Sequence, residues 1–371
     1  MRKFLLVLLA APLFHAFPAT AQITLTQLPS GGNKKATVTE RIGLTDVEIS
    51  YSRPGVKGRE SKIWGSLVPA GFIDMGFGNS KAAPWRAGAN ENTTIAFSED
   101  VMVEGKPLAA GKYGFFIAYD STESTLIFSK NATSWGSYFY NEGEDALRVK
   151  IKLQPVATNV EWLKYEFLDQ TDSSATIALL WEHKAFPFKV QTAYIKDQIA
   201  SFNKELRTER GFYWLAWNQA AQWALQHDVN LEQALQWADS ASGPTFGGDH
   251  LFQPQTTKAQ ILYKLNRTAE ADALLKKALP LASMNELHQY GRSLIQQKKT
   301  AEALAVFKQN LAKNGKQFTT LMGMARGYSA VGDYKNAFKT MQQAQPLAPD
   351  SPNKQFIEEA LKKLQEGKDI N

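Results

Sequence analysis

Near residue 190 the hydrophobic period of the chain changes from two to about 3.6, and that change dictates two structural units of different class. Upstream, short runs alternate apolar and polar residues and are broken by Gly, Pro and Asn. Downstream, apolar residues recur at helical spacing and an alanine-centred pattern returns every thirty-odd residues. An alternating run has one apolar face and buries it only against another sheet, whereas helix pairs bury theirs by stacking. The expected fold class is therefore an antiparallel β-sandwich or barrel followed by an α-helical solenoid.

In the first unit, residues 34–190, the run Asp46–Ser52 puts Val47, Ile49 and Tyr51 on one face. Leu147–Leu153 sets Arg148, Lys150 and Lys152 opposite its apolar residues, and Glu161–Leu168 aligns Leu163, Tyr165 and Phe167. These read as half-buried antiparallel strands. Thr93–Phe97, Tyr113–Tyr119, Leu126–Phe128 and Ala175–Trp181 are more continuously apolar and read as central strands, giving eight or so in all. Turn chemistry separates them at Arg53-Pro-Gly55, Glu104-Gly-Lys-Pro107, Asp120-Ser-Thr122 and Asp172-Ser-Ser174. The run Gly105–Lys112 is only superficially a phosphate loop: five residues separate its glycines and Tyr113 stands where Ser or Thr is needed, so it reads as a hairpin connection.

The successive runs IGLTDVEISYSRPGVKGR, IWGSLVP, WRAGANENTTIAFSEDVMVEGKPLAAGKYGFF, WGSYFYN and DSSATIALLWE resemble the family known as domain of unknown function 2911. The resemblance covers most of residues 34–190 and implies a β-rich exported domain. It implies no activity and brings no site residues. The segment Gly71–Lys81 departs from the pattern and reads as an insertion before Trp85-Arg86.

Ligand chemistry in this half would concentrate at Trp85, Arg86, Asn90 and Glu91, with Arg53, Lys57 and Arg59 in the preceding Pro/Gly loop. A guanidinium and a carboxylate beside an aromatic ring can clamp a small polar ligand or glycan. The competing reading is a buried Arg–Glu pair that pins loops, and it is favoured. His183, at an expected strand end beside Glu182, is the one histidine of residues 34–190, so no nucleophile–base pair can be assembled around it. The aromatics Trp64, Trp135, Tyr138, Phe139 and Tyr140 read as core, with a sugar-binding platform as the alternative.

In the second unit a connecting helix within residues 191–211 is marked by Ile195, Ile199, Phe202 and Leu206. The stretches 230–241, 267–279, 299–311 and 333–345 then align on Ala234, Ala271, Ala303 and Ala337. Each follows another helical stretch, at 212–226, 254–265, 285–297 and 318–331. With Gly327-Tyr328, Gly332-Asp333-Tyr334 and Pro346, the last repeat resembles a tetratricopeptide repeat most closely. Residues 212–367 are thus read as tetratricopeptide-like repeats ending in a capping helix, Ser351–Glu366. Asn230 with Gln233 reads as a capping box, and Ser351-Pro352 as an N-cap followed by Pro. The resemblance implies a groove that accepts a protein or peptide segment, with Lys258, Tyr290, Arg292 and Arg326 as candidate lining residues. Trp214, Trp217, Trp223 and Trp237 read as sealing the joint between the two units, and the Gly243–His250 loop as a loop, since Asp249-His250 lacks further metal ligands.

Arg2-Lys3, the apolar run Phe4–Phe14 and Ala19-Thr20-Ala21 form an export signal over residues 1–21, followed by an N-terminal segment 22–33. The expected location after cleavage near Ala21 is periplasmic or extracellular. The sequence contains no Cys, which excludes disulfides and a lipid-modified cysteine. Residues 193–371 hold 22 Lys/Arg against 17 Asp/Glu and carry the basic excess, scattered among acidic residues as on solvated helix faces. No transmembrane segment, nucleic-acid partner, metal or other cofactor is expected. The reading is an exported, non-catalytic protein that binds a protein or peptide partner in the cell envelope. The alternative is small-ligand or carbohydrate binding, or hydrolase-type chemistry, at Arg86, Asn90 and Glu91.

Overall fold

The computed structural model describes residues 32–371, so the expected signal at 1–21 and the segment up to residue 31 lie outside the described residues. Two compact units divide at Gln198/Ile199.

Among the described residues the first unit has ten strands. A six-stranded sheet runs in the order β1 (Lys34–Ile42), β2 (Thr45–Arg53), β3 (Thr93–Phe97), β6 (Gly111–Ala118), β7 (Glu123–Ser129) and β8 (Asp145–Lys152). A four-stranded sheet runs β5 (Lys106–Leu108), β4 (Val101–Val103), β10 (Ser174–Thr192) and β9 (Gln154–Leu168). Every pairing is antiparallel. The inner faces meet in one core, where Phe115 and Phe128 of the first sheet lie 5.6 and 6.2 Å from Phe188 of the second, ring centre to ring centre. Each sheet keeps two free edges, so the fold is a sandwich and not a barrel.

Alternation places Val47, Ile49 and Tyr51 in that core and Lys150 and Lys152 outside it. Two elements are invisible to the alternation rule. Lys34–Ile42 is rich in Lys and Thr because it is an edge strand, with only Ala36, Val38 and Ile42 packed inward. The stretch read as a turn at Glu104–Pro107 is the tip of the β4–β5 hairpin, with Glu104 at φ +49° and Gly105 at +74°, so the glycine-rich run is indeed a hairpin connection followed by β6. Strand β10 is far longer than Ala175–Trp181. It continues through a bulge at Glu182 (φ +54°), which puts His183 mid-strand and not at a strand end.

The aromatic expectation holds in part. Trp64 packs on the core and Tyr140 is buried beside Phe116, but Trp135 and Phe139 are about half exposed.

The second unit contains α2 (Trp214–His227), α3 (Leu231–Ser242), α4 (Phe252–Lys264), α5 (Thr268–Ala278), α6 (Met284–Gln296), α7 (Thr300–Asn314), α8 (Phe318–Ala330), α9 (Tyr334–Ala344) and α10 (Ser351–Gln365). The helix before them, α1 (Tyr194–Glu205), straddles the division between the units. The second helices begin where the alanine pattern places them, and Ala234, Ala271, Ala303 and Ala337 are all fully buried. A methyl group there lets two helix axes approach closely. Capping differs in detail. Asn230 adopts φ +47° and makes no side-chain cap, so the capping box is absent; one occurs instead at Ser283–Glu286. Asp350, not Ser351, caps α10 by accepting from Asn353 N at 2.9 Å.

Trp237 is buried, and Trp217 donates to Gly211 O at 2.8 Å and stacks on Phe246 at 5.1 Å. Trp223 stacks on His227 at 4.1 Å. No helix among the described residues is long and apolar enough to cross a membrane.

Candidate functional sites

Ligand-sized openings exist in both units. In the β unit, a cavity of about 260 Å³ forms beside the second sheet. Its rigid wall is the Trp85–Trp181 stack, with centroids 6.0 Å apart and planes 19° from parallel. Trp64 stands edge-on to both at 5.8 Å. Backbone bonds to Ile117 in both directions fix Trp85, and its Nε1 donates to Gly88 O at 3.2 Å. Behind the stack, buried Glu182 accepts from Trp64 Nε1 at 2.5 Å and from Ser61 N at 3.0 Å. Burial alone would raise its pKa; the donors from Ser61 and Trp64, with His183, outweigh that and hold it below the ordinary 4.5.

The cluster expected from sequence is divided by this architecture. Trp85, Arg86, Asn90 and Arg59 line the cavity; Arg53, Lys57 and Glu91 do not. Arg59 is turned back on its own loop, donating Nε to Val56 O at 3.0 Å and Nη2 to Gly55 O at 2.7 Å. Arg86 donates Nη1 to Asn90 O at 2.8 Å and lies over the Tyr138 ring at 5.2 Å. Arg53 donates to Leu163 O, and exposed Lys57 lies over Trp162. Glu91 belongs to a separate recess, where it meets Lys35 at 3.7 Å and Ser52 Oγ at 3.3 Å. Arg86 and Glu91 therefore neither pair nor share a cavity, because consecutive turn residues after Trp85 face opposite ways. The two cannot clamp one ligand together.

The Gly71–Lys81 segment is a wall and not merely a loop. Ile73 pairs with Ala83 through two backbone bonds, and Ile73 and Met75 line the cavity. Nothing in the spacing of these residues reveals that role. A further polar group escaped the sequence reading: Tyr140, Asp145 and Arg148 interlock at 2.6–2.7 Å beneath a recess of about 430 Å³. Burial raises the Asp145 pKa against the opposing Tyr140 and Arg148 bonds, and its Oδ1 has no hydrogen-bond partner. Among the described residues no group of three His, Asp or Glu can hold a metal ion, and His250 Nδ1 meets only Asp249, at 3.2 Å.

In the helical unit the first helices pack closely in pairs, α2 with α4 and α6 with α8, whereas α4 and α6 are more widely spaced and meet through side chains, Phe252 lying 5.8 Å from Tyr290, ring centre to ring centre, in a shared apolar cluster. The wider spacing coincides with the Leu279–Leu281 turn, where the carbonyls of Pro280 and Ala282 accept from Lys313 Nζ at 2.7 and 2.8 Å. It leaves a cleft of about 520 Å³ lined by Gln260, Tyr263 and Lys264 of α4, Tyr290 of α6, and Gln297 and Lys299 beyond it. No acidic residue lines it. Lys299 Nζ sits 5.0 Å above the Tyr263 ring, and the Tyr263 hydroxyl donates to Asp272. Burial, and then the nearby Glu302 and Asp272, raise the Tyr290 pKa.

Of the four residues expected to line a groove, Tyr290 alone reaches this cleft. Lys258 is turned to Asp239 of α3 at 2.9 Å. Arg292 and Arg326 occupy equivalent places in successive repeats, but Arg326 is covered. Phe356 of α10 lies over its guanidinium at 4.8 Å, and Asn371 Nδ2 donates to its carbonyl at 3.1 Å. The segment after α10 anchors there through Ser329 Oγ to Asp369 at 2.5 Å and buried Ile370. Burial, then Arg326 and Arg292, push the neighbouring His288 down to a pKa of about 4. The chain's own end segment thus fills the part of the groove that sequence left open, and the open part lies nearer the first repeats.

No curated protein matches the chain. Among solved structures, MamA from Desulfovibrio magneticus RS-1 (residues 41 to its end) is 16% identical with a TM-score of 0.28, over 43% of this chain and 95% of that one. YrrB, described as a TPR protein with an unusual peptide-binding site, is 14% identical with a TM-score of 0.29, over 46% and 87%. Nearly identical TPR-like repeats of a kinesin light chain from Podosopora anserina are 15% identical with a TM-score of 0.32, over 43% and 89%. Residues 33–190, nearly the whole β unit, match the model of the family described as Protein of unknown function (DUF2911).

Proposed function

We propose that the helical unit receives an extended segment of a partner protein in the cleft between α4 and α6, and that it does so in the cell envelope after export. The observation that carries this reading is the wider spacing of α4 and α6, which opens the cleft between them. It leaves two tyrosine rings, two side-chain amides and two lysines around one recess. Tyrosine rings give apolar contact at low entropic cost and keep a polar tip. The amides of Gln260 and Gln297 can meet the peptide groups of an extended chain, which needs donors and acceptors when it leaves water. Lys264 is paired with Asp228 at 3.1 Å, and Asp272 and Glu302 lie close to the tyrosines, so the rim is of mixed charge and the rings and amides define the segment it accepts.

Gln260 and Gln297 are exposed, so a tryptophan at either fills the cleft without touching the core. Peptides selected on the full chain from a random display library are expected to bind Gln260→Trp and Gln297→Trp at least about tenfold more weakly, a loss of about 1.4 kcal/mol. Equal binding by both variants would refute the site. Export rests on the residues before Gln22, and mass spectrometry of protein from the periplasm or medium should find a chain beginning at Gln22. A cytoplasmic chain still beginning at Met1 would contradict it.

A further inference from the structure

We infer that the cavity beside the second sheet of the β unit binds a small organic carboxylate with an apolar body, a site separate from the peptide cleft and not dependent on it. Size sets the first bound. At about 260 Å³ the cavity lies below the roughly 300–1,000 Å³ of drug-sized pockets and above the roughly 150 Å³ that accepts benzene. A compact acid fits; an oligosaccharide or a nucleotide does not.

Charge sets the second bound. Two guanidiniums, Arg59 and Arg86, line the cavity, and no Asp or Glu does. Both are half-buried, and neither forms an ion pair among the described residues; their protein acceptors are the carbonyls of Gly55, Val56 and Asn90. The contrast with Arg148 of the same unit is instructive, since its guanidinium meets Asp145 at 2.6 Å. Carbonyl dipoles orient a guanidinium without neutralising it, and a half-buried cation gains most from an anion that presents two oxygens to its planar fork. Arg86 is also held in place sterically. It lies over Tyr138, and a methyl group on Gly136 would come within 2.5 Å of its Cζ. The position is kept by close packing.

The remaining wall sets the third bound. Trp85 turns its one polar atom inward to Gly88, so its ring, the Trp181 ring, Ile73, Met75 and Leu67 present apolar surface. Asn33, Asn90 and Ser137 complete the lining without adding charge. An acid with an aromatic or branched body places its charge on the arginines and its body on the rings.

Saturation-transfer NMR on the full chain with phenylacetate, benzoate and isovalerate, each beside its neutral amide, tests this. At least one acid is expected to bind, with its amide about tenfold weaker or worse. Arg59→Gln and Arg86→Gln should each reduce acid binding by a similar factor and leave amide binding unchanged. Leu67→Trp, at an exposed rim position, should block both. An unchanged ligand-free melting temperature shows that a variant is folded. Amides binding as well as acids, no acid binding at all, or full retention in both folded arginine variants would overturn the assignment.

Discussion

Replacing Phe307 with alanine is expected to destabilise the helical unit by about 3–5 kcal/mol, the largest effect of any single truncation there. The ring is fully buried on α7 and sits in a socket made mostly of backbone. A methyl group on Gly323 or Gly327 of α8 would come within 2.6 or 2.8 Å of it, and one on Gly291 of α6 closer still. Three glycines on two helices thus admit one ring from a third, and His288 flanks it at 5.9 Å. Because the socket is built from helix backbones, it cannot collapse when the ring is removed, and the full cavity cost remains. Urea unfolding followed by the helical circular dichroism signal measures the loss. The reciprocal change Gly323→Ala should cost about 1–3 kcal/mol by overpacking. If Phe307→Ala lowers stability by less than about 1 kcal/mol, the socket is not what holds α6, α7 and α8 together.

The second large effect is expected at Glu182. Its carboxylate receives the Trp64 indole and the Ser61 amide inside the sandwich. Glu182→Ala leaves the half-buried Trp64 indole without its acceptor and frees the more exposed Ser61 amide to water, and should cost about 1–3 kcal/mol. Glu182→Gln keeps one acceptor and should cost less. The sign of the pH dependence follows from the depressed pKa. The folded carboxyl holds its proton less tightly than the unfolded one, so its contribution is complete above the ordinary value of 4.5 and is lost as pH falls through the folded value. Wild type should therefore lose stability below about pH 4.5 more steeply than Glu182→Gln does, as urea midpoints across acidic pH would reveal. Parallel pH profiles would show that the carboxylate is not charged in the folded protein. The Trp85–Trp181 wall rests against Trp64, so Glu182→Ala is also expected to loosen the cavity.

Periodicity made the outline of the fold legible. Val47, Ile49 and Tyr51 reach the core because a two-residue period has one inner face, and Ala234, Ala271, Ala303 and Ala337 are buried because helix pairs need a small residue at their crossing. The edge strand Lys34–Ile42 escaped because an edge tolerates Lys and Thr, and the β4–β5 hairpin because three-residue strands carry no measurable period. The sites were legible only in part. Arg59 and Arg86 were identified as a charged cluster, but the turn after Trp85 sends Glu91 to another recess, and side-chain direction within a turn is not a matter of composition. Arg326 was placed on the groove face, yet the Asp369–Ile370 segment covers it. The cleft itself arises from the wider spacing of α4 and α6. Repeat spacing, which assumes regular stacking, cannot register it.

The central claim is that this cleft receives an extended segment, and hydrogen exchange of the full chain with and without a display-selected peptide tests it most directly. Backbone amides of α4, Phe252–Lys264, and α6, Met284–Gln296, are expected to slow when the peptide binds, while those of α9 and of the β strands are unchanged. Protection confined to the strands or to α9, with α4 and α6 unaffected by a bound peptide, would contradict the account.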